Sequence, residues 1–363
     1  MAVRKRTAPR KAPISQRGVQ GWIIENLFSS PFNTLLTLFG AYLIYITIPP
    51  FLKWALLDAH ISGCTKAACA GDGACWVFIK EKIDMFIYGF YPVEELYRPR
   101  IVMASFAVSI LFFVAVKGFV RAKITLFVLF PFFAYTLLHG GIAGLETVPS
   151  DKWGGLLLTL IISTVGIAAS FPIGLMLALG RRSGLPLIKA VSTVYIEFVR
   201  GVPLITVLFM SSVLLPLFFP EGVTFEKLLR ALIGVSLFEA AYVAENIRGG
   251  FAAIPRGQYE AADAMGLGYW QKMALVILPQ ALKVAVPNLV GSFISLFKDT
   301  SLVMIIGLFD LLSMVNVTAN DRDWLGMETE GYVFAAAIFW IFTFSMSRYA
   351  ASLEKRMKKG VGR

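Results

Sequence analysis

The sequence predicts an all-α polytopic membrane protein, and three observations carry that prediction. Hydrophobic residues make up 57% of the 363, with mean hydropathy +0.71 and only 16% charge, well below the roughly 25% charge of a soluble domain. The apolar residues fall in blocks of about 20, the length that crosses a bilayer as a helix. The Lys and Arg sit in short segments that flank those blocks. The net charge of +11 therefore reads as a set of orientation signals, and a nucleic-acid partner is not expected.

Eight spans follow in order: roughly 32–52, 101–117, 123–142, 154–180, 191–219, 229–249, 285–310 and 331–350. With the N-terminus inside, Lys and Arg are more than twice as frequent in the inside segments as in the outside ones, which places both termini on the cytoplasmic side. The opening "MAVRKRTAPRKAPISQR" has no hydrophobic centre and no small-residue cleavage site after the first apolar run. It reads as a disordered basic tail ahead of an uncleaved first span. The parts are then a basic tail, 1–31; a three-span region, 32–150, with an outside loop at 53–100; a core, 151–350; and a second basic tail, 351–363. The Gly- and Pro-containing "GLETVPSDKWGG" at 144–155 marks the joint between the halves.

Cys64, Cys69 and Cys75 all lie in the outside loop. An odd count permits one internal disulfide among three pairings, and an oxidising compartment favours one. Spacings of five and six do not suit a zinc site. His60 and His139 have no paired nucleophile or carboxylate in the sequence, and no phosphate-cradling G-x-x-x-x-G-K-[ST] occurs. A transport role without enzymatic chemistry in this chain is the expectation, with no cofactor of its own.

Charges inside spans mark pathways by default. Arg200 lies in "EFVRGVPL", where Gly201 and Pro203 should break the helix and free backbone groups. Lys298 and Asp299 lie in "SLFKDTSL", followed by Thr300 and Ser301. A zwitterionic amino acid would take Asp299 for its ammonium group and Arg200 for its carboxylate. Lys298 is about 100° from Asp299 on the helix and so turns elsewhere. An alternative gives Arg200 to Glu197, three residues away.

The remaining feature is a long inside segment, 250–284. Within "EAADAMGLGYWQKMALVILP", helix formers from Glu260 to Met265 end at Gly266 and Gly268, and a second stretch is expected to stop at Pro279. Glu-Ala-Ala, then Gly after three residues, then an apolar-x-Leu-Pro run resembles the EAA signature of ABC-importer permeases, with Val276 standing where Ile is usual. "EFVRGVPL", "IRGGFAAIPRGQYEAADAMGL" and "SLFKDTSL" resemble the polar amino acid branch. The three extra spans resemble the longer permeases of general L-amino acid uptake systems.

The resemblance implies a type I importer core in the last five spans. It implies that Glu260, Ala261, Ala262, Asp263, Ala264, Met265 and Gly266 form a helix that docks on a cytoplasmic ABC ATPase dimer, where ATP and Mg are held. It implies a second, related permease chain, an extracytoplasmic amino acid-binding protein, and the bacterial inner membrane as the location. A second "EAA" at 239–241 reads as a decoy, because it lies inside a span without the Gly or the Leu-Pro. The competing class is a secondary carrier independent of ATP. Paired broken helices in two inverted halves would favour it, and no such repeat is visible between 1–150 and 151–350.

Overall fold

The computed structural model describes residues 18–63, 66–69, 71–116, 118–142, 144–220 and 225–361. It divides into two compact units, one ending at Val77 and one beginning at Phe78. Cys64 and the basic residues before position 18 lie outside the described residues.

In the first unit, α1 (Val19–Leu27) precedes α2 (Pro31–Leu52), so the segment expected as a tail is helical from Val19. Ser30 caps α2, its hydroxyl accepting from the Asn33 N–H at 3.2 Å, and Pro31 takes the first turn, where its missing N–H costs nothing. None of the residues of α2 is buried. A wide turn at Lys53–Leu57 extends it past Pro49 and Pro50. The loop beyond is fastened by the Cys69–Cys75 disulfide and by the Trp76 indole, which donates to the Ala55 carbonyl at 2.8 Å.

The second unit opens within α3 (Trp76–Tyr88) and continues with α4 (Tyr97–Ala115) and α5 (Val120–His139). Then come α6 (Gly155–Arg181), α7 (Pro186–Gly201), α8 (Leu204–Val213) and α9 (Lys227–Ala252). After them run α10 (Arg256–Ala264), a short α11 (Tyr269–Gln271), α12 (Leu278–Asp299), α13 (Leu311–Ala319) and α14 (Glu328–Val361). Among the described residues, six helical stretches are long and apolar enough to cross a membrane, and the bent pair α7–α8 makes a seventh. The 26-residue α9 is of spanning length too, but Glu239, Glu245 and Arg248 interrupt its apolar character.

The core is built on α9, which packs along α6 on one side and against α12, α8 and α7 on the others. Small residues permit the approach. A Cβ at Gly174 of α6 would stand 2.7 Å from the Ala240 carbonyl oxygen of α9, so the two backbones meet where any side chain would part them. This is why a helix with five charged residues can occupy the centre of the bundle: its buried face is Ala231, Ala240, Ala241 and Ala244 between Val235, Val243 and Ile247.

At one end of the bundle a cap of short elements closes over the helices. Phe78 and Phe86 of α3 pack on Trp324 and Phe334 at centroid distances of 5.5 and 5.4 Å, and Lys82 bridges Asp321 at 2.6 Å. That bond holds the Asp321 carboxyl below its usual range. Arg98, 1% exposed, pairs with Glu95 at 2.7 Å and donates to the Glu146 carbonyl at 2.6 Å, tying the start of α4 to the segment before α6.

The structure corrects one boundary. Pro279 does not stop a helix. Instead Lys272–Ile277 widen into a π turn that runs directly into α12, with Pro279 in that helix's first turn. The widened turn absorbs the missing N–H, as such bulges do.

Candidate functional site: a cavity at a broken helix and a segment beneath it

Between Gly201 and Leu204 the chain turns by 108° from α7 to α8. The cause is local. Val202 is extended (φ −106°, ψ 137°) because a residue before proline is driven from the α region, and Pro203 at φ −62°, ψ 141° starts α8 afresh. The break is what "GVP" predicted.

A cavity of about 580 Å³ opens at this joint, lined by Arg200 to Leu204, by Phe238, Glu239 and Tyr242 of α9, by Ser292, Ser295 and Asp299 of α12, and by Leu302. Asp299 and Arg200, 99 residues apart in sequence, thus face one space. Glu239 joins them: it is 4% exposed, and its Oε1 has no hydrogen-bond partner among the described residues. A buried, unpaired carboxylate is expensive, so this group is held at a cost that a cationic ligand would offset.

The other sequence candidates lie elsewhere. Lys298 is exposed and does not line the cavity. Thr300 is buried, and its hydroxyl donates to the Phe297 carbonyl at 2.9 Å; the Ser301 hydroxyl donates to the Lys298 carbonyl at 3.0 Å. Glu197 pairs with Arg181 at 2.8 Å, not with Arg200. Arg200 pairs instead with Glu245 at 3.5 Å and lies over the Tyr242 ring at 5.9 Å. Glu245 is shared by three guanidinium groups, the others being Arg248 at 2.6 Å and Arg181 at 3.4 Å. One carboxylate among three cations leaves Arg200 with donors to spare. Ser292 accepts from the Asn246 amide at 2.8 Å, which fixes that hydroxyl at the cavity wall.

The sequence does not mark Glu239 as a motif residue, because the "EAA" around it lacks the Gly and the Leu-Pro. The signal was the ordinary one for a pathway: a carboxylate within an apolar span.

Past the end of α9, α10 lies across the bundle's base. It ends as the sequence predicts: Gly266 has φ +72°, the Leu267 N–H reaches the Ala262 carbonyl at 3.2 Å, and the Gly266 N–H reaches Asp263 at 2.9 Å. Glu260, Ala261, Asp263, Ala264, Met265 and Gly266 are exposed. Ala262 is not: it is 4% exposed and turned toward the bundle, since a helix lying flat buries one face. Of the residues that the resemblance assigns to docking, Ala262 alone packs inward.

Three contacts hold α10. Lys272 pairs with Asp263, Gln280 donates to Gln258 at 3.0 Å, and Arg182, just past α6, stacks over Phe251 at 4.9 Å and Tyr259 at 5.3 Å. Arg182 thus grips this segment while its neighbour Arg181 reaches the Glu245 cluster beside the cavity. Met265 (80% exposed) and Trp270 (71%) leave an apolar surface bare on the outer side.

A polytopic bundle with a polar cavity at a broken helix, and a docking-type segment at its base, defines a membrane transport subunit. The family description "Binding-protein-dependent transport system inner membrane component" matches residues 170–359, and the chain belongs to that family. It is 53% identical over 354 residues to the "Inner membrane amino-acid ABC transporter permease protein YhdY" of Escherichia coli K12, covering 97% of this chain and 96% of that one. It is 41% identical over 420 residues to the "Glutamate/glutamine/aspartate/asparagine transport system permease protein BztC" of Rhodobacter capsulatus, with the same coverage of 97% and 96%. A solved structure of "an amino acid ABC transporter with histidines" is 32% identical and covers 56% of this chain and 92% of its own, at a TM-score of 0.49.

Proposed function

We propose that this chain is one permease subunit of an ATP-driven importer that moves L-amino acids across the bacterial inner membrane into the cytoplasm. The observation that carries the reading is the cavity at the α7–α8 break, where Glu239 and Asp299 offer carboxylates to an ammonium group and Arg200 offers a guanidinium to a carboxylate. That arrangement suits the two charges every amino acid carries. The irregular backbone at Gly201–Pro203 lines the same wall.

The segment 250–284 receives a cytoplasmic ABC ATPase dimer on Glu260, Ala261, Asp263, Ala264, Met265 and Gly266, with ATP and Mg held by that partner. Both termini are cytoplasmic, as the Lys and Arg distribution favours. The capped end of the bundle then faces outward and meets an extracytoplasmic amino acid-binding protein. A second, related permease completes the pathway. Residues 151–350 form the transport core, and 32–150 an addition to it.

The test is to purify the tagged chain in mild detergent and identify its companions by mass. An ATPase, a second permease and retention of both on exchange of detergent are expected. A chain that purifies alone and moves amino acids in vesicles on an ion gradient would reverse the proposal.

A further inference from the structure

A second cavity, of about 590 Å³, lies between the α4–α5 pair and the start of α6 and α9 and shares no lining residue with the transport cavity. Its walls are apolar: Phe106, Phe130, Leu160, Ile161 and Leu232. Three polar groups gather at one end. Trp153 lies just before α6 and is 2% exposed, and its indole N–H has no hydrogen-bond partner among the described residues. Tyr135 is one turn from the end of α5. Glu226 immediately precedes α9 and is exposed, with one carboxylate oxygen taken by the Ser150 hydroxyl at 2.7 Å.

An occupant must satisfy these features together. From Leu157 to Val165 the cavity follows α6 for about 12 Å, close to the roughly 15 Å hydrocarbon depth of one leaflet. Water would leave the walls unsatisfied, and a soluble ligand would not reach a site bounded by spanning helices. The buried indole N–H calls for an acceptor at the level where an apolar chain gives way to polar atoms. The second Glu226 oxygen, for which no described residue donates a hydrogen bond, calls for a cation just beyond it.

We infer that this cavity binds one zwitterionic aminophospholipid, its acyl chain along α6, an ester carbonyl accepting from Trp153, and its ammonium group at Glu226. An anionic lipid fits the walls equally well but meets a carboxylate at the mouth. With the orientation proposed above, the lipid belongs to the outer leaflet. It would add to the packing of Val102, Ala134 and Leu138 in one cluster with Trp153 and Leu157, which joins the α4–α5 pair to the transport core.

The experiment is brominated-lipid quenching of tryptophan fluorescence, with the assembled transporter in nanodiscs of either dibromo-phosphatidylethanolamine or dibromo-phosphatidylglycerol in an unbrominated background. The chain has seven Trp, so the Trp153 contribution is the difference between wild type and Trp153→Phe. Stronger quenching of that contribution by the amino lipid is expected. Glu226→Gln should abolish the preference while leaving quenching itself, and Ala134→Phe, which fills the cavity, should abolish both. No quenching of Trp153 by either lipid, or equal quenching by the two in wild type, would overturn the proposal; so would quenching that survives Ala134→Phe in a folded protein.

Discussion

Glu239→Gln separates a ligand-binding carboxylate from a structural one, because the two roles predict opposite effects on stability. The substitution keeps the shape and removes the charge. In the empty protein Glu239 is buried with an unpartnered oxygen, and Gln in its place removes a buried ionisable carboxyl without breaking a hydrogen bond of that oxygen. The melting temperature of the detergent-solubilised protein should therefore hold or rise. With substrate present the sign reverses, since a charge-assisted hydrogen bond to the ammonium group, about 1.5–3 kcal/mol, is lost. That is a fall of roughly ten- to a hundredfold in affinity within the cavity. The assay is ATP-driven uptake of labelled L-amino acids by proteoliposomes holding the whole transporter and its binding protein, across a substrate series. Wild-type uptake by a folded Glu239→Gln protein would refute the assignment. A lowered melting temperature with unchanged uptake would make Glu239 a structural residue.

Asp299→Asn should lower uptake in the same direction without changing expression, and normal uptake would remove Asp299 from the site. Ala262→Leu should destabilise the protein by about 1–3 kcal/mol through overpacking, read in thermal melts, whereas Met265→Ala on the exposed side should leave melting unchanged and weaken retention of the ATPase. Arg182→Gln should cost about 1 kcal/mol of aromatic stacking on Phe251 and Tyr259 and lower the amount of substrate moved per ATP hydrolysed, with the complex still assembled. The Lys82–Asp321 bond contributes at pH values above the usual Asp range, near about 3.9, and its contribution disappears as pH falls through the lower value held in the folded protein. Acid should therefore destabilise wild type more than Lys82→Met, as seen in melts taken down to that range.

Local chemistry was legible in the sequence, and distant pairing was not. The apolar runs gave the helices, "GVP" gave the break between α7 and α8, and the Gly after α10 gave its end, because each depends on residues a few positions apart. Arg200 went to Glu245 on another helix and not to nearby Glu197 because Arg181, arriving from α6, claims Glu197 first. No local spacing carries that choice. The direction of Ala262 depended on which face of α10 meets the bundle. The cap depended on α3 meeting the segment before α14, more than 230 residues away. Pro279 was misjudged because a π turn can absorb a proline that a regular helix cannot.

The central claim is that a substrate passes the α7–α8 break under the drive of an ATPase docked on the 250–284 segment. Its most direct test is uptake of labelled L-amino acids into proteoliposomes holding the purified assembly, with ATP supplied or withheld on the ATPase side and ion gradients collapsed throughout. Uptake that requires ATP, and that Glu239→Gln and Arg182→Gln each reduce in an intact complex, is the result predicted. Uptake that persists without ATP and follows an imposed ion gradient would contradict the account.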